Sequence, residues 1–232
     1  MINKEPIIYK PSVYNGNGIY NTGAGGVYNG RGVYNDGAGG EVVEIGGKEY
    51  RVIKLPDGKK WIGENLDFIW AGLQINNYWQ TTNPNAWYYQ NNENENGWNG
   101  KKCGLLYNWY AVKYLNDNIS NLINGWHVPT ESEWQNLKNA IVEDAGKKLK
   151  CKDLIYNENW PSGWRGVDEY GFKMLPAGEN VNGSFDKFGT WARFWGADNT
   201  YTIIYAYKDW DDLYFASGIN RYYGYSVRLV KD

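Results

Sequence analysis

The sequence predicts an α+β domain with two helices and a small irregular sheet, preceded by an extended glycine-rich segment. Three observations carry this. A fourteen-residue repeat rich in glycine fills residues 13–40. Two stretches, around residues 105–115 and 130–148, place apolar side chains at helical spacing. The remainder is cut into short runs of strand-forming residues by turn residues. Helices set beside many short strands point to α+β architecture.

The chain has 232 residues, room for one ordinary domain plus an appendage, or for two small domains. Hydrophobic residues make up 42% and charged residues 22%, as in a globular protein. The net charge of -2 offers no basic field to recruit nucleic acid. No stretch approaches the roughly 20 apolar residues of a membrane helix. Residues 1–10 (MINKEPIIYK) hold no apolar run of signal-peptide length, which speaks against a Sec-type route. Cys103 and Cys151 are too few for a zinc site or a disulfide framework, and are expected to be thiols made in a reducing cytoplasm. A single histidine excludes multi-histidine metal sites. The excess lies elsewhere, in 13 Trp, 21 Tyr and 29 Gly.

The repeat reads VYNGNGIYNTGAGG over residues 13–26 and VYNGRGVYNDGAGG over residues 27–40. Gly fills 10 of these 28 positions, so the ordering entropy is high and the apolar return is small. Such a segment is not expected to fold alone. Two copies are also too few for a solenoid. It reads either as a flexible linker or as a docking segment. In the second case Tyr14, Tyr20, Tyr28 and Tyr34 serve as regularly spaced anchors onto an assembly or onto sister chains.

Residues 41–66 are expected to form short strands with turns at Gly46-Gly47 and Asp57-Gly58. Residues 67–100, rich in Asn, Gln, Tyr and Trp, read as a long loop region. A helix over residues 105–115 would align Leu106, Tyr110, Ala111 and Tyr114. The second helix has the firmer signal. Thr130 and Glu133 make a capping-box pattern after Pro129, followed by Trp134, Leu137 and Ile141 at helical spacing. Gly146, Lys147 and Lys148 suit its end. Residues 150–232 read as strand and loop. They close on a strand in which Tyr225, Val227 and Leu229 alternate with Ser226, Arg228 and Val230.

Six ordered blocks carry a family resemblance: KWIGENL (60–66), GLLYNWYA (104–111), GWHVPTESEW (125–134), DEYGFKMLPAG (168–178), Phe194-Trp195 and GYSVRLVKD (224–232). In this order they resemble the Fibrobacter succinogenes major paralogous domain, over about residues 41–232. The resemblance implies a C-type-lectin-like fold, on the branch related to the formylglycine-generating enzyme. In that fold the terminal strands pair, two helices flank a small sheet, and a long irregular region presents a binding face. Exported members often carry a Cys before the GWHVPT block and another in the last strand. Here those positions hold Ile123 or Asn124 and Leu229. The calcium-binding motifs of true C-type lectins are absent, so no metal or other cofactor is carried over. The repeat joined to this domain is similar to variable proteins of Bacteroides-type phages, several of which are diversified by retroelements that mutate adenines. Codons such as AAC cannot become Trp, Met, Lys, Glu or Gln under that process. These types fill 3 of the 33 positions in residues 193–225, against 46 of 192 in residues 1–192.

No catalytic residue is assigned. His127 sits before a helix cap and reads as a hydrogen-bonded structural residue. Cys103 and Cys151 lack the sequence surroundings of the formylglycine-generating enzyme. Asp168 and Glu169 on a strand would point to opposite faces. Trp61, Trp109, Trp126, Trp134 and Trp191 are read as part of the family blocks and are expected in the core. The candidate ligand residues are Arg193, Asp198, Tyr201, Tyr207, Trp210, Asp211, Asp212, Tyr214, Phe215, Tyr222 and Tyr223. Rings that give area at low entropy cost, beside small polar groups, are the chemistry of a paratope. The expected protein is a non-enzymatic, homotrimeric virion protein of a phage. Residues 1–40 would contact other virion proteins, and residues 41–232 would bind a host-surface glycan or protein. No nucleic acid partner and no membrane insertion are expected. The alternative is a bacterial surface adhesin of the same family.

Overall fold

The computed structural model describes residues 40–91, 103–152, 164 and 166–232, together with the main chain of residues 20–22, 26–28 and 33–35. Three strands come from the glycine-rich repeat: β1 (Tyr20–Thr22), β2 (Gly26–Tyr28) and β3 (Val33–Asn35). They are antiparallel, and β3 pairs with β4 (Glu41–Ile45), Val33 opposite Val43. The described parts of the repeat therefore continue the sheet of the following residues as extended strands. A glycine-rich chain short of apolar groups gains order by borrowing the paired edge of β4.

The strand and turn expectations for residues 41–66 hold. β4 turns at Gly46-Gly47 into β5 (Lys48–Lys54), and a turn through Asp57-Gly58 leads to β6 (Lys60–Ile62). Among its described residues, the loop region that follows carries β7 (Gln74–Ile75), β8 (Asn85–Trp87) and a 3-10 turn at Tyr89–Asn91. β9 (Leu106–Tyr107) then pairs with β8. The first helix, α1 (Trp109–Leu122), begins four residues later than expected and runs seven further. Its cap is Asn108, whose side chain accepts from the Ala111 amide at 2.9 Å. It buries Trp109, Ala111, Val112, Leu115 and Ile119, so the expected Tyr110–Tyr114 stripe lies beside the buried face.

β10 (Trp126–His127) precedes α2 (Glu131–Ile141). The capping box is present as expected, with Thr130 and Glu133 exchanging bonds. The end of α2 is not at Gly146. The helix stops at Ile141, and Val142 turns away at φ 72°. Gly146, Lys147 and Lys148 instead lie inside a third helix, α3 (Ala145–Leu149). β11 (Glu179–Val181) and β12 (Ser184–Asp186) form a hairpin. β13 (Trp191–Trp195), β14 (Ile203–Tyr207) and β15 (Tyr214–Ala216) form a three-stranded antiparallel sheet. β16 (Val230–Lys231) returns to lie between β6 and β10. Among the described residues this makes three helices, one eight-stranded sheet and three smaller ones, a richer α+β arrangement than the sequence implied.

Two apolar cores result. One gathers Tyr50, Leu66, Tyr107, Trp109, Leu115, Ile119, Trp126, Trp195, Val227 and Leu229 around α1. The other gathers Trp61, Trp134, Leu137, Phe172, Met174, Phe194, Ile204 and Val230 around α2. The Trp61 and Trp134 rings meet at 4.8 Å. The closing strand expected over residues 225–230 is reduced to β16 at Val230–Lys231, and residues 224–230 are buried throughout. Arg228 is fully buried there. Its guanidinium donates to Asn65 Oδ1 (3.0 Å), Ile62 O (3.0 Å), Phe172 O (2.9 Å) and Lys173 O (3.1 Å), and lies 4.2 Å from the Phe172 ring. Burial pulls its pKa down to about 9. The charge is held by oxygens from two separate segments, residues 62–65 and 172–173, which it ties to the end of the chain.

Candidate ligand-binding face

Pairing in the β13–β15 sheet sets Trp191 opposite Tyr207, Arg193 opposite Tyr205, and Tyr205 opposite Tyr214. Alternation puts these residues on one face. Ala192, Phe194, Ile204, Ala206 and Phe215 lie on the other and pack into the core around α2. The first face is graded. Trp195 and Ile203 belong to the α1 core, whereas Trp191, Tyr205 and Tyr207 are half-buried and Tyr214 is 40% exposed. Trp210, also 40% exposed, closes the outer end.

The rings here form a continuous wall. Trp191 meets Tyr207 at 4.9 Å and Trp210 at 5.7 Å, Trp210 meets Tyr214 at 4.8 Å, and Tyr214 stacks on Tyr205 at 5.8 Å. Edge and offset contacts of this kind hold the rings at fixed angles while leaving their outer surfaces open. Arg193 runs beneath, 4.5 Å from the Trp191 ring, and is ion-paired with the buried Glu179 of β11. Desolvation lowers its pKa. Asp212 is ion-paired with Lys138 of α2 at 2.7 Å, and Lys138 also lies 5.7 Å from the Tyr214 ring. Both cations are thus matched by carboxylates, and the wall presents rings and the exposed Asp211 to solvent.

The other candidates fall elsewhere. Tyr201 and Tyr222 join a second aromatic group with Trp109, Tyr110 and Trp79. Tyr201 lies 4.9 Å from Trp109, and Tyr222 lies 6.0 Å from Tyr110 and 6.2 Å from Trp79. Arg221 spans this group, 5.6 Å from Tyr110 and 5.3 Å from Tyr201. Asp198 accepts from the Glu131 amide and so serves the first turn of α2. Phe215 faces the α2 core, and Tyr223 packs on the α1 core. Trp191 corrects the sequence expectation, because it is a wall residue and not a core one. Tyr205, Glu179 and Lys138 were also missed. The alternation 191/193 and 205/207 was the available signal for Trp191 and Tyr205. Of the repeat tyrosines, Tyr28 pairs in register with both Tyr20 and Tyr34, and Tyr14 lies outside the described residues.

The residues weighed for chemistry are built into the fold. His127 Nε2 lies 2.7 Å from Glu133 Oε1, whose carboxylate also receives Lys59 at 3.0 Å and the Thr130 amide at 2.8 Å. Cys103 and Cys151 are buried, and burial, reinforced by Cys151, pushes the Cys103 thiol up. Asp168 is not on a strand. It has φ 46° and accepts from the Lys173 amide at 2.8 Å. Among the described residues no group of three or more His, Cys, Asp or Glu is placed to hold a metal ion, and no helix is long and apolar enough to cross a membrane.

Residues 57–231 match the model of the Fibrobacter succinogenes major domain. The chain belongs to this family. No curated protein and no solved structure matches it. The family match begins in the turn before β6 and ends in β16, so the whole aromatic wall lies inside the Fibrobacter succinogenes major domain and the glycine-rich repeat lies outside it.

Proposed function

We propose that this protein is a non-enzymatic structural protein of a phage virion, a head or tail fibre or decoration, whose C-type-lectin-like domain binds a host-surface glycan or protein. Residues 1–40 form the docking and trimerising segment, and residues 41–232 form the ligand domain. The observation that carries the reading is the open wall of Trp191, Tyr205, Tyr207, Trp210 and Tyr214. Its rings are braced against one another, and its cations are already neutralised by Glu179 and Asp212. A rigid amphipathic surface without a reacting group is suited to recognition. Modest affinity per domain would be raised by repeated copies on one particle.

The test is binding of the labelled protein to host cells. Replacing Trp210 and Tyr214 together with Ala is expected to abolish binding and to cost no more than about 2 kcal/mol of stability. Binding that survives the double replacement in a folded protein overturns the assignment of this face.

A further inference from the structure

The wall depends on one turn, residues 207–213, which carries Tyr207, Trp210 and Asp211 and leads into Tyr214. Beyond the Trp191–Tyr207 ladder pair, amides of the turn donate from Lys208 N to Thr190 O (2.9 Å), from Trp210 N to Tyr207 O (3.1 Å) and from Leu213 N to Asp212 Oδ1 (2.8 Å). Its carbonyls are held from beneath. Lys150, directly after α3, is fully buried. Its ammonium donates to Tyr207 O at 2.6 Å, Lys208 O at 3.2 Å and Trp210 O at 2.5 Å. An ammonium has three donors, and here three carbonyls receive them. The Trp164 ring lies 5.0 Å from the same Nζ, a further favourable contact for a buried cation.

The neighbouring donors act in the same way. The Lys147 amide donates to Asp211 O at 2.9 Å, and Lys138 Nζ donates to Leu213 O at 2.8 Å. Gly146 makes the approach possible, because a Cβ there would sit 2.4 Å from Asp212 O. All of these contacts reach main-chain oxygens, which every amino acid supplies.

We propose that Lys150 is the positioning residue of the ligand face. Its ammonium, helped by the Lys147 amide, fixes the carbonyls of the 207–211 turn. The shape of the turn is therefore independent of the side chains at 209, 210, 211 and 214, and ligand choice resides in those side chains. The proposal rests on the reading of this face as the ligand site, but its test does not use ligand.

The test is amide hydrogen exchange on the full-length protein, read at residues 147, 208 and 210 and corrected for intrinsic rates. In Lys150→Met these three amides are expected to exchange at least about tenfold faster, while amides of α1 and the α1 core keep their native rates. A uniform rise across the molecule would show a general stability role and overturn the proposal, as would unchanged rates at the three positions. A second variant keeps Lys150 and replaces Asp209, Trp210, Asp211 and Tyr214 with Ser. Its three amides are expected to stay within about threefold of the native rates. A larger loss there means that the side chains hold the turn, and it overturns the proposal whether or not Lys150→Met folds. Cell binding by the Trp210 and Tyr214 variant fails or succeeds separately.

Discussion

Glu133 shows how one buried carboxylate organises its surroundings. Its Oε1 receives His127 and Lys59, and its Oε2 receives the Thr130 amide and hydroxyl. Burial alone would raise its pKa, but the bonds from His127, Thr130 and Lys59 outweigh that and hold it at about 2, against an ordinary 4.5. The same pair raises the His127 pKa above 6.5, mainly through the hydrogen bond that His127 donates to Glu133. The two groups act on stability in opposite directions of pH. The histidine contribution is complete below its ordinary 6.5 and fades as pH rises through its folded value. The glutamate contribution is complete above 4.5 and fades as pH falls toward about 2. Both are therefore present together between roughly pH 4.5 and 6.5. His127→Gln is expected to lose about 1–2 kcal/mol near pH 5.5 and much less near pH 9. Urea unfolding at the two pH values measures this, and an equal loss at both would refute the charged pair.

At the scale of elements, features set by neighbouring residues were legible and those set by distant partners were not. The capping box of α2 needs only Thr130 and Glu133, three residues apart, and it was read correctly. The start of α1 was misplaced because Leu106 fits helical spacing. It lies instead in β9, where Tyr107 exchanges amide bonds with Tyr225 across more than a hundred residues. Arg228 looked like the polar side of an alternating strand, and nothing local reveals the carbonyls of Phe172 and Lys173 waiting for it. The candidate site was half legible. A stretch dense in Tyr and Asp was visible, but the sorting of Trp210 onto the wall and Tyr222 into a second group follows from strand register. Gly104, just before β9, is another position fixed by a distant contact. It has φ 75°, and a Cβ there would lie 2.8 Å from Leu66 O and 2.9 Å from Asn65 Cβ. That close approach also lets Asn65 donate to Cys103 O at 2.9 Å. Gly104→Ala combines left-handed strain with a backbone clash and is expected to cost about 2–4 kcal/mol. A loss in urea unfolding below about 1 kcal/mol would show that the approach can relax.

Across the whole molecule, the eight-stranded sheet links the repeat to the family domain. Its order runs β1-β2-β3-β4-β5-β6-β16-β10, so the repeat supplies one end and the chain's last strand lies near the other. Pairing of β3 with β4 joins the two regions, while among the described side chains the residues of both cores fall between Val43 and Val230. The stability of the domain should therefore be nearly independent of the repeat. β1 ends the sheet with one edge unused within the described chain, and an unpaired edge is a template for another chain. Tyr20, Tyr28 and Tyr34 form one row across β1, β2 and β3, which places the anchors of the proposed docking segment together beside that edge. If the repeat assembles the protein, removing residues 1–40 should change the oligomer and spare the fold. Sedimentation equilibrium is expected to give three chains for the full-length protein and one for residues 41–232. The urea midpoint of the truncated protein at low concentration should stay close to that of the full chain, because neither core is opened. Equal masses for the two proteins would remove the trimerising role from the repeat. A collapse of the midpoint would mean that β4 needs β3 as a structural neighbour, and that the repeat belongs to the folded unit.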